Sequence, residues 1–114
     1  MPHPKCLARP LRIHAHFADD LEAQLVWLRD HRDERLFDSL VAGVDEALAR
    51  LVQTPGIGGV VGRQGRGALR KLILRRVPFL VWYAFDEDDP SGEIRVLRLF
   101  HVRQDRARRN IRKR

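Results

Sequence analysis

Between Arg9 and Phe17, apolar Leu11, Ile13, Ala15 and Phe17 alternate with Arg12, His14 and His16, the period of a strand with one buried face. The period then changes. Ala18, Leu21, Leu25 and Leu28 recur at helical spacing up to about Asp30, with Asp19 and Glu22 as the expected capping pair. After the polar break at Asp30 to Asp33, a longer stripe runs through Leu36, Phe37, Leu40, Val41, Val44, Leu48 and Leu51 and stops before Thr54-Pro55-Gly56. These two stripes predict an antiparallel helical hairpin.

The chain then turns to glycine and to strand formers. Six of the eight glycines lie from Gly56 to Gly67, with Arg63 and Arg66 among them, so this stretch reads as a flexible loop outside the core. It either carries its two arginines to a partner or is a long solvated connection. Leu69 to Arg76, Phe79 to Asp86 and Glu93 to Val102 read as three strands, separated by turn residues at Val77-Pro78 and Asp88 to Gly92. Phe79 to Phe85 is apolar at every position, as a central strand covered on both faces would be. The expected fold class is therefore α+β: an N-terminal strand, an antiparallel helical hairpin, then a three-stranded antiparallel meander, in two layers.

One domain is all that 114 residues allow; it is expected over 9–103, between a loose tail at 1–8 and a basic tail at 104–114. The basic tail reads as extended or frayed unless bound. A hydrophobic fraction of 44% supports a packed core. Cys6, the one cysteine, excludes an internal disulfide and any CxxC site, and suits a reducing compartment. With no secretory leader visible and no apolar run of membrane-spanning length, the reading is a cytoplasmic protein without membrane contact.

Charge divides the chain. Up to Gly62 there are 7 basic and 9 acidic residues; beyond it there are 15 and 6, for halves of −2 and +9 within a net charge of +7. That polarity points to an anionic partner for the second half. Catalytic alternatives are thin. His14 and His16 share a strand face without a cysteine or carboxylate at ligand spacing, so no metal is expected. The glycines miss the GxGxxG and GK[ST] patterns, so no nucleotide cofactor is expected. What remains is a basic cluster of Arg70, Arg95, Arg98, His101, Arg103 and Arg106. Strict alternation puts Arg95, His101 and Arg103 on one face with Leu97 and Leu99, and Arg98 on the other with Phe100. His101 reads either as a general acid or base beside phosphate-stabilising guanidinium groups, or as a strand-ending histidine with one structural hydrogen bond.

The opening strand followed by Ala18-Asp19-Asp20-Leu21, the helix end from Leu51 to Pro55-Gly56, and Leu69-Arg70-Lys71-Leu72 form a sequence of landmarks. Pro78-Phe79-Leu80-Val81-Trp82-Tyr83 and Ile94 to Arg103 continue it. In order and spacing, from about Arg9 to Arg106, the chain resembles the RelE/ParE superfamily of type II toxin–antitoxin toxins. The resemblance implies that family's two-layer fold and a growth-arresting toxin neutralised by a cognate antitoxin, which packs along the helical hairpin and sheet. The pair would act on operator DNA through the antitoxin.

Two mechanisms divide the family: gyrase inhibition in the ParE branch and ribosome-dependent mRNA cleavage in the RelE branch. For cleavage, the resemblance implies catalytic roles for Arg70, His101 and Arg103. The C-terminal tyrosine of that branch is missing, and Tyr83 matches the central-strand aromatic instead. The ending from Phe100 to Arg106 looks closer to the ParE branch, with Arg63, Arg66, Arg70, Arg98, His101, Arg103 and Arg106 as the expected target-binding set. A relic that only binds antitoxin or DNA is the third reading.

Overall fold

The computed structural model describes residues 9–104. Its elements, in chain order, are β1 (Leu11–Ile13), α1 (Ala15–Asp30), α2 (Glu34–Gln53), a 3-10 turn (Pro55–Ile57), β2 (Gly59–Gln64), β3 (Gly67–Ile73), β4 (Phe79–Phe85) and β5 (Ile94–His101). The sheet has the order β1-β5-β4-β3-β2. Neighbours are antiparallel except β1, which runs parallel to β5. The fold class is α+β with a mixed sheet.

Both helices end where their capping chemistry dictates. Asp33 Oδ1 accepts the Leu36 N–H at 3.2 Å and starts α2, while Arg32 takes a positive φ of 57° in the link from α1. Pro55, just past α2, has no N–H with which to continue a helix. Phe17 and Leu28 from α1, with Leu40, Val44, Ala47 and Leu51 from α2, pack on Leu72, Val81, Tyr83, Phe85, Val96 and Leu99 of the sheet. A smaller apolar cluster of Leu69, Leu80, Trp82 and Phe100 forms on the sheet face turned away from the helices. Apolar clusters on both faces explain why all of β4 is buried.

The expected strand over Arg9 to Phe17 is reduced to three residues. His14 already caps α1: its Nδ1 accepts the His16 N–H at 3.1 Å, so Ala15 and Phe17 belong to the helix and the Asp19/Glu22 cap does not form. The alternation is real, but Phe17 reaches the core from a helix. Once β1 ends, α1 takes over the edge of β5. The His14 N–H donates to the Val96 carbonyl at 2.9 Å, and farther along the Leu99 N–H donates to Asp20 Oδ2 at 3.0 Å.

The glycine-rich stretch is the larger correction. Gly59–Gln64 is a strand antiparallel to β3, which makes the meander four-stranded and leaves β2 at the edge. Gly65, with φ at +60°, turns the chain between the paired Gln64 and Gly67. Glycine is also required at Gly58, where a Cβ would lie 2.5 Å from the Lys71 carbonyl oxygen and 2.8 Å from the Tyr83 hydroxyl. That hydroxyl accepts the Gly58 N–H at 2.8 Å and donates to the Pro55 carbonyl at 2.7 Å, pinning the segment that leads into β2. At the far end β5 stops at His101 and Val102 to Gln104 turn helical; the expected tails at 1–8 and 105–114 lie outside the described residues.

Replacing Tyr83 with Phe removes both hydrogen bonds and leaves their partners in place. We expect a loss of about 1–3 kcal/mol in urea unfolding at pH 7. Burial raises the Tyr83 pKa above 10.0, against the lowering effects of the Gly58 N–H and the Arg70 charge. The folded chain thus keeps a proton that the unfolded chain releases. This contribution to stability is full below about pH 10 and is lost as pH rises through the folded pKa. Unfolding midpoints from pH 9 to 11 should fall more steeply for the wild type than for Tyr83→Phe, which lacks the chain's only tyrosine.

Candidate functional site

Register decides which basic side chains share a surface. Arg70 pairs with Tyr83, a core residue, so it stands on the helix-covered face. Its Nη1 donates to the carbonyls of Gly56 at 3.2 Å and Gly58 at 2.8 Å, its Nη2 binds Glu87, and its guanidinium lies 5.7 Å from the Phe85 ring centre. The side chain is only 15% exposed. Arg70 therefore serves as an internal strut between the chain entering β2 and the β4–β5 turn.

Strict alternation fails along β5 because Leu97 is an inserted residue. Val96 pairs with Tyr83 and Arg98 with the adjacent Trp82, a β-bulge that reverses the phase. Arg95, opposite Ala84, and Arg98, opposite Trp82, consequently share the face away from the helices with Phe100. His101 pairs with Phe79 and falls on the helix-covered face. The expected grouping of Arg95 with His101 is corrected accordingly, since Arg95 joins Arg98, while the expected separation of Arg98 from His101 holds.

Arg98 is already engaged. Its Nε and Nη2 grip the two carboxylate oxygens of Asp20 at 2.7 and 3.1 Å, and its guanidinium lies 4.9 Å from the Phe100 ring centre. The hydrogen bonds to Asp20 raise the Arg98 pKa, partial burial opposes them, and the carboxylate charge adds to the rise. His101 sets its ring edge-on to Phe79 at 5.3 Å, and its Nδ1 accepts the Arg103 N–H at 3.1 Å. Its own N–H donates to Gln104 Oε1 at 2.9 Å, which satisfies another amide on the β5 edge.

Arg63 and Arg66 lie at the β2–β3 hairpin, where Arg63 Nη2 donates to the Arg66 carbonyl at 3.2 Å. Arg103 is exposed in the helical turn after β5. Arg106 lies outside the described residues. The six described residues of the expected target-binding set are thus divided among a core strut, a hairpin tip, a sheet face and a strand end.

Arg70 and His101 sit opposite Tyr83 and Phe79, on different neighbours of β4. Four residues of rise and two strand spacings separate their backbones by about 17 Å. A general acid or base and a phosphate-stabilising cation must both lie within about 3 Å of the reacting groups. Arg70 is directed to Gly58 and Glu87 and His101 to Phe79, so these two do not form one catalytic centre.

Other features escaped sequence reasoning. Arg9 Nη1 lies 3.0, 2.7 and 3.2 Å from the carbonyl oxygens of Asp86, Asp89 and Gly92, with the guanidinium 4.7 Å from the Phe85 ring centre. It ties the chain before β1 to the β4–β5 turn across 77 or more positions, a separation that no local pattern reveals. Asp20 stood within the landmark Ala18 to Leu21 without a role. Between the helices runs a groove of about 570 Å³ lined by Ile13, Phe17, Leu21, Leu25, Val26 and Phe37 among others. His14 and His16 stack at 4.9 Å, and the described residues contain no group of three or more His, Cys, Asp or Glu side chains arranged to hold a metal. Nor is any helix among them long and apolar enough to cross a membrane.

Asp20→Ala should leave Arg98 and the Leu99 amide without their shared acceptor. The expected cost is about 1–3 kcal/mol in denaturant unfolding. Asp20→Asn, which keeps an acceptor for the Leu99 N–H, should recover part of it; equal losses in both variants would place the whole contribution in charge. No protein-family model matches the chain, and no curated protein matches it significantly.

Proposed function

We propose that the protein is the toxin of a type II toxin–antitoxin pair, of the RelE/ParE kind, and that it acts by binding DNA gyrase without cleaving a substrate. Support for the family comes from the resemblance of the sequence landmarks and from the element order: strand, two helices, then antiparallel strands whose last member lies beside the first. The apolar groove of the helical hairpin, with Val26 38% exposed on its wall, suits the seat of the antitoxin.

The observation that carries the choice of mechanism is the separation of Arg70 from His101. In the ribonuclease reading these residues act on one phosphate, yet their backbones stand about 17 Å apart. Arg70 is also spent on two backbone carbonyls and Glu87. A binding poison needs no such convergence. Its cations can be spread along an extended surface, as the exposed Arg63, Arg66 and Arg103 are. Ribosome-dependent mRNA cleavage is the alternative, and a relic without toxicity the remaining one.

A paired assay on the purified chain separates them. We expect gyrase supercoiling to be inhibited while a translated mRNA on ribosomes stays intact. Codon-positioned cuts that disappear in His101→Ala would instead establish the ribonuclease. Activity in neither assay, from a chain that binds its antitoxin, would leave the relic.

A further inference from the structure

Trp27 is a conspicuously exposed ring among the described residues, 55% accessible near the end of α1. Its conformation is held. The His31 imidazole stacks on it at 3.8 Å between ring centres and 17° between planes, and His31 Nδ1 lies 2.8 Å from the Trp27 carbonyl oxygen. An exposed tryptophan braced on one side forms a contact surface with little side-chain freedom left to lose on binding.

Beside it opens a cleft of about 1,040 Å³, between the helix turn and the end of β5. Trp27 lines this cleft and His31 does not, so the brace lies outside it. Leu28, Leu36 and Phe79 supply apolar walls, with His101, Arg103 and Gln104 at the end of the sheet. Small-molecule sites span about 300–1,000 Å³, so a nucleotide fits with room for its neighbour. Among the lining residues Asp33 is the one acid, and its carboxylate is occupied in capping α2. Arg103 gives the rim a cation, and the sequence continues directly into Arg106, Arg108, Arg109, Arg112, Lys113 and Arg114 against a single acid, Asp105.

An aromatic platform with a cationic rim is the combination by which proteins hold unpaired bases and their phosphates. We propose that this cleft binds a single-stranded nucleic acid, with one base stacked on Trp27 and the adjoining phosphate at Arg103. The cleft shares Arg103 with the proposed target-binding surface but not Arg63 or Arg66, and its test requires neither gyrase nor antitoxin, so binding through Trp27 can fail without the toxin reading failing. The opposing reading, an acidic protein segment in the same cleft, satisfies the charge but makes no use of a fixed ring face.

The test uses the full chain and end-labelled ten-residue oligomers of deoxythymidylate and of uridylate, read by fluorescence anisotropy. An abasic deoxyribose-phosphate oligomer of equal length and a polyglutamate peptide serve as controls. The base-bearing oligomers should bind more tightly than the abasic one. Trp27→Ala should weaken them roughly five- to hundredfold, the scale of one lost base stack, while leaving abasic binding unchanged. Trp27→Phe should restore most of the affinity, and thermal unfolding of both variants checks that the exposed position does not govern the fold. Abasic or polyglutamate binding as tight as that of the oligomers, or full affinity in a folded Trp27→Ala, would overturn the proposal.

Discussion

The hydroxyl of Tyr83 is the point on which the sheet depends. It lies in the core of the central strand, fully buried, and would be an unpaired polar group there but for the chain that leaves α2. By donating to Pro55 and accepting from Gly58, it fixes the four residues from Pro55 to Gly58, which place no side chain in the core. Arg70 reinforces the same stretch through the carbonyls of Gly56 and Gly58. With that segment held, β2 begins in register with β3 and the glycine-rich stretch becomes the edge of the sheet. The arrangement also explains why a cation stands on the core side of β3: its charge is shared among carbonyls, an exposed carboxylate and the Phe85 ring.

Phe85 links this strut to the other end of the chain. Arg70 and Arg9 both lie against its ring, and Arg9 closes the β4–β5 turn through three carbonyls. On the opposite edge, Asp20 does for β5 what a further strand would have done, taking the Leu99 amide and binding Arg98 alongside it. Much of the arginine excess in the described residues is therefore structural. Arg9, Arg70 and Arg98 join elements distant in sequence, whereas Arg63 and Arg66 at the hairpin tip and Arg103 past the strand end are exposed, as are Arg12, Arg29 and Arg75 elsewhere on the surface.

Sequence by itself determined the two helices, the fully buried β4, the strands on either side of it and the two-layer α+β class. Each of these rests on a period that burial imposes on neighbouring residues, so local pattern carries the information. Alternation from Leu11 to Phe17 misled because a strand and a helix meet inside it, and His14, a residue seldom read as a cap, marks the junction. Tertiary structure alone decided that Gly59–Gln64 is a strand, since its order comes from Tyr83 and Arg70, residues met later in the chain. It also decided the faces of Arg95, Arg98 and His101. One inserted residue at Leu97 reverses every side chain beyond it, and a bulge is set by pairing with the neighbouring strand, which no single strand's sequence records.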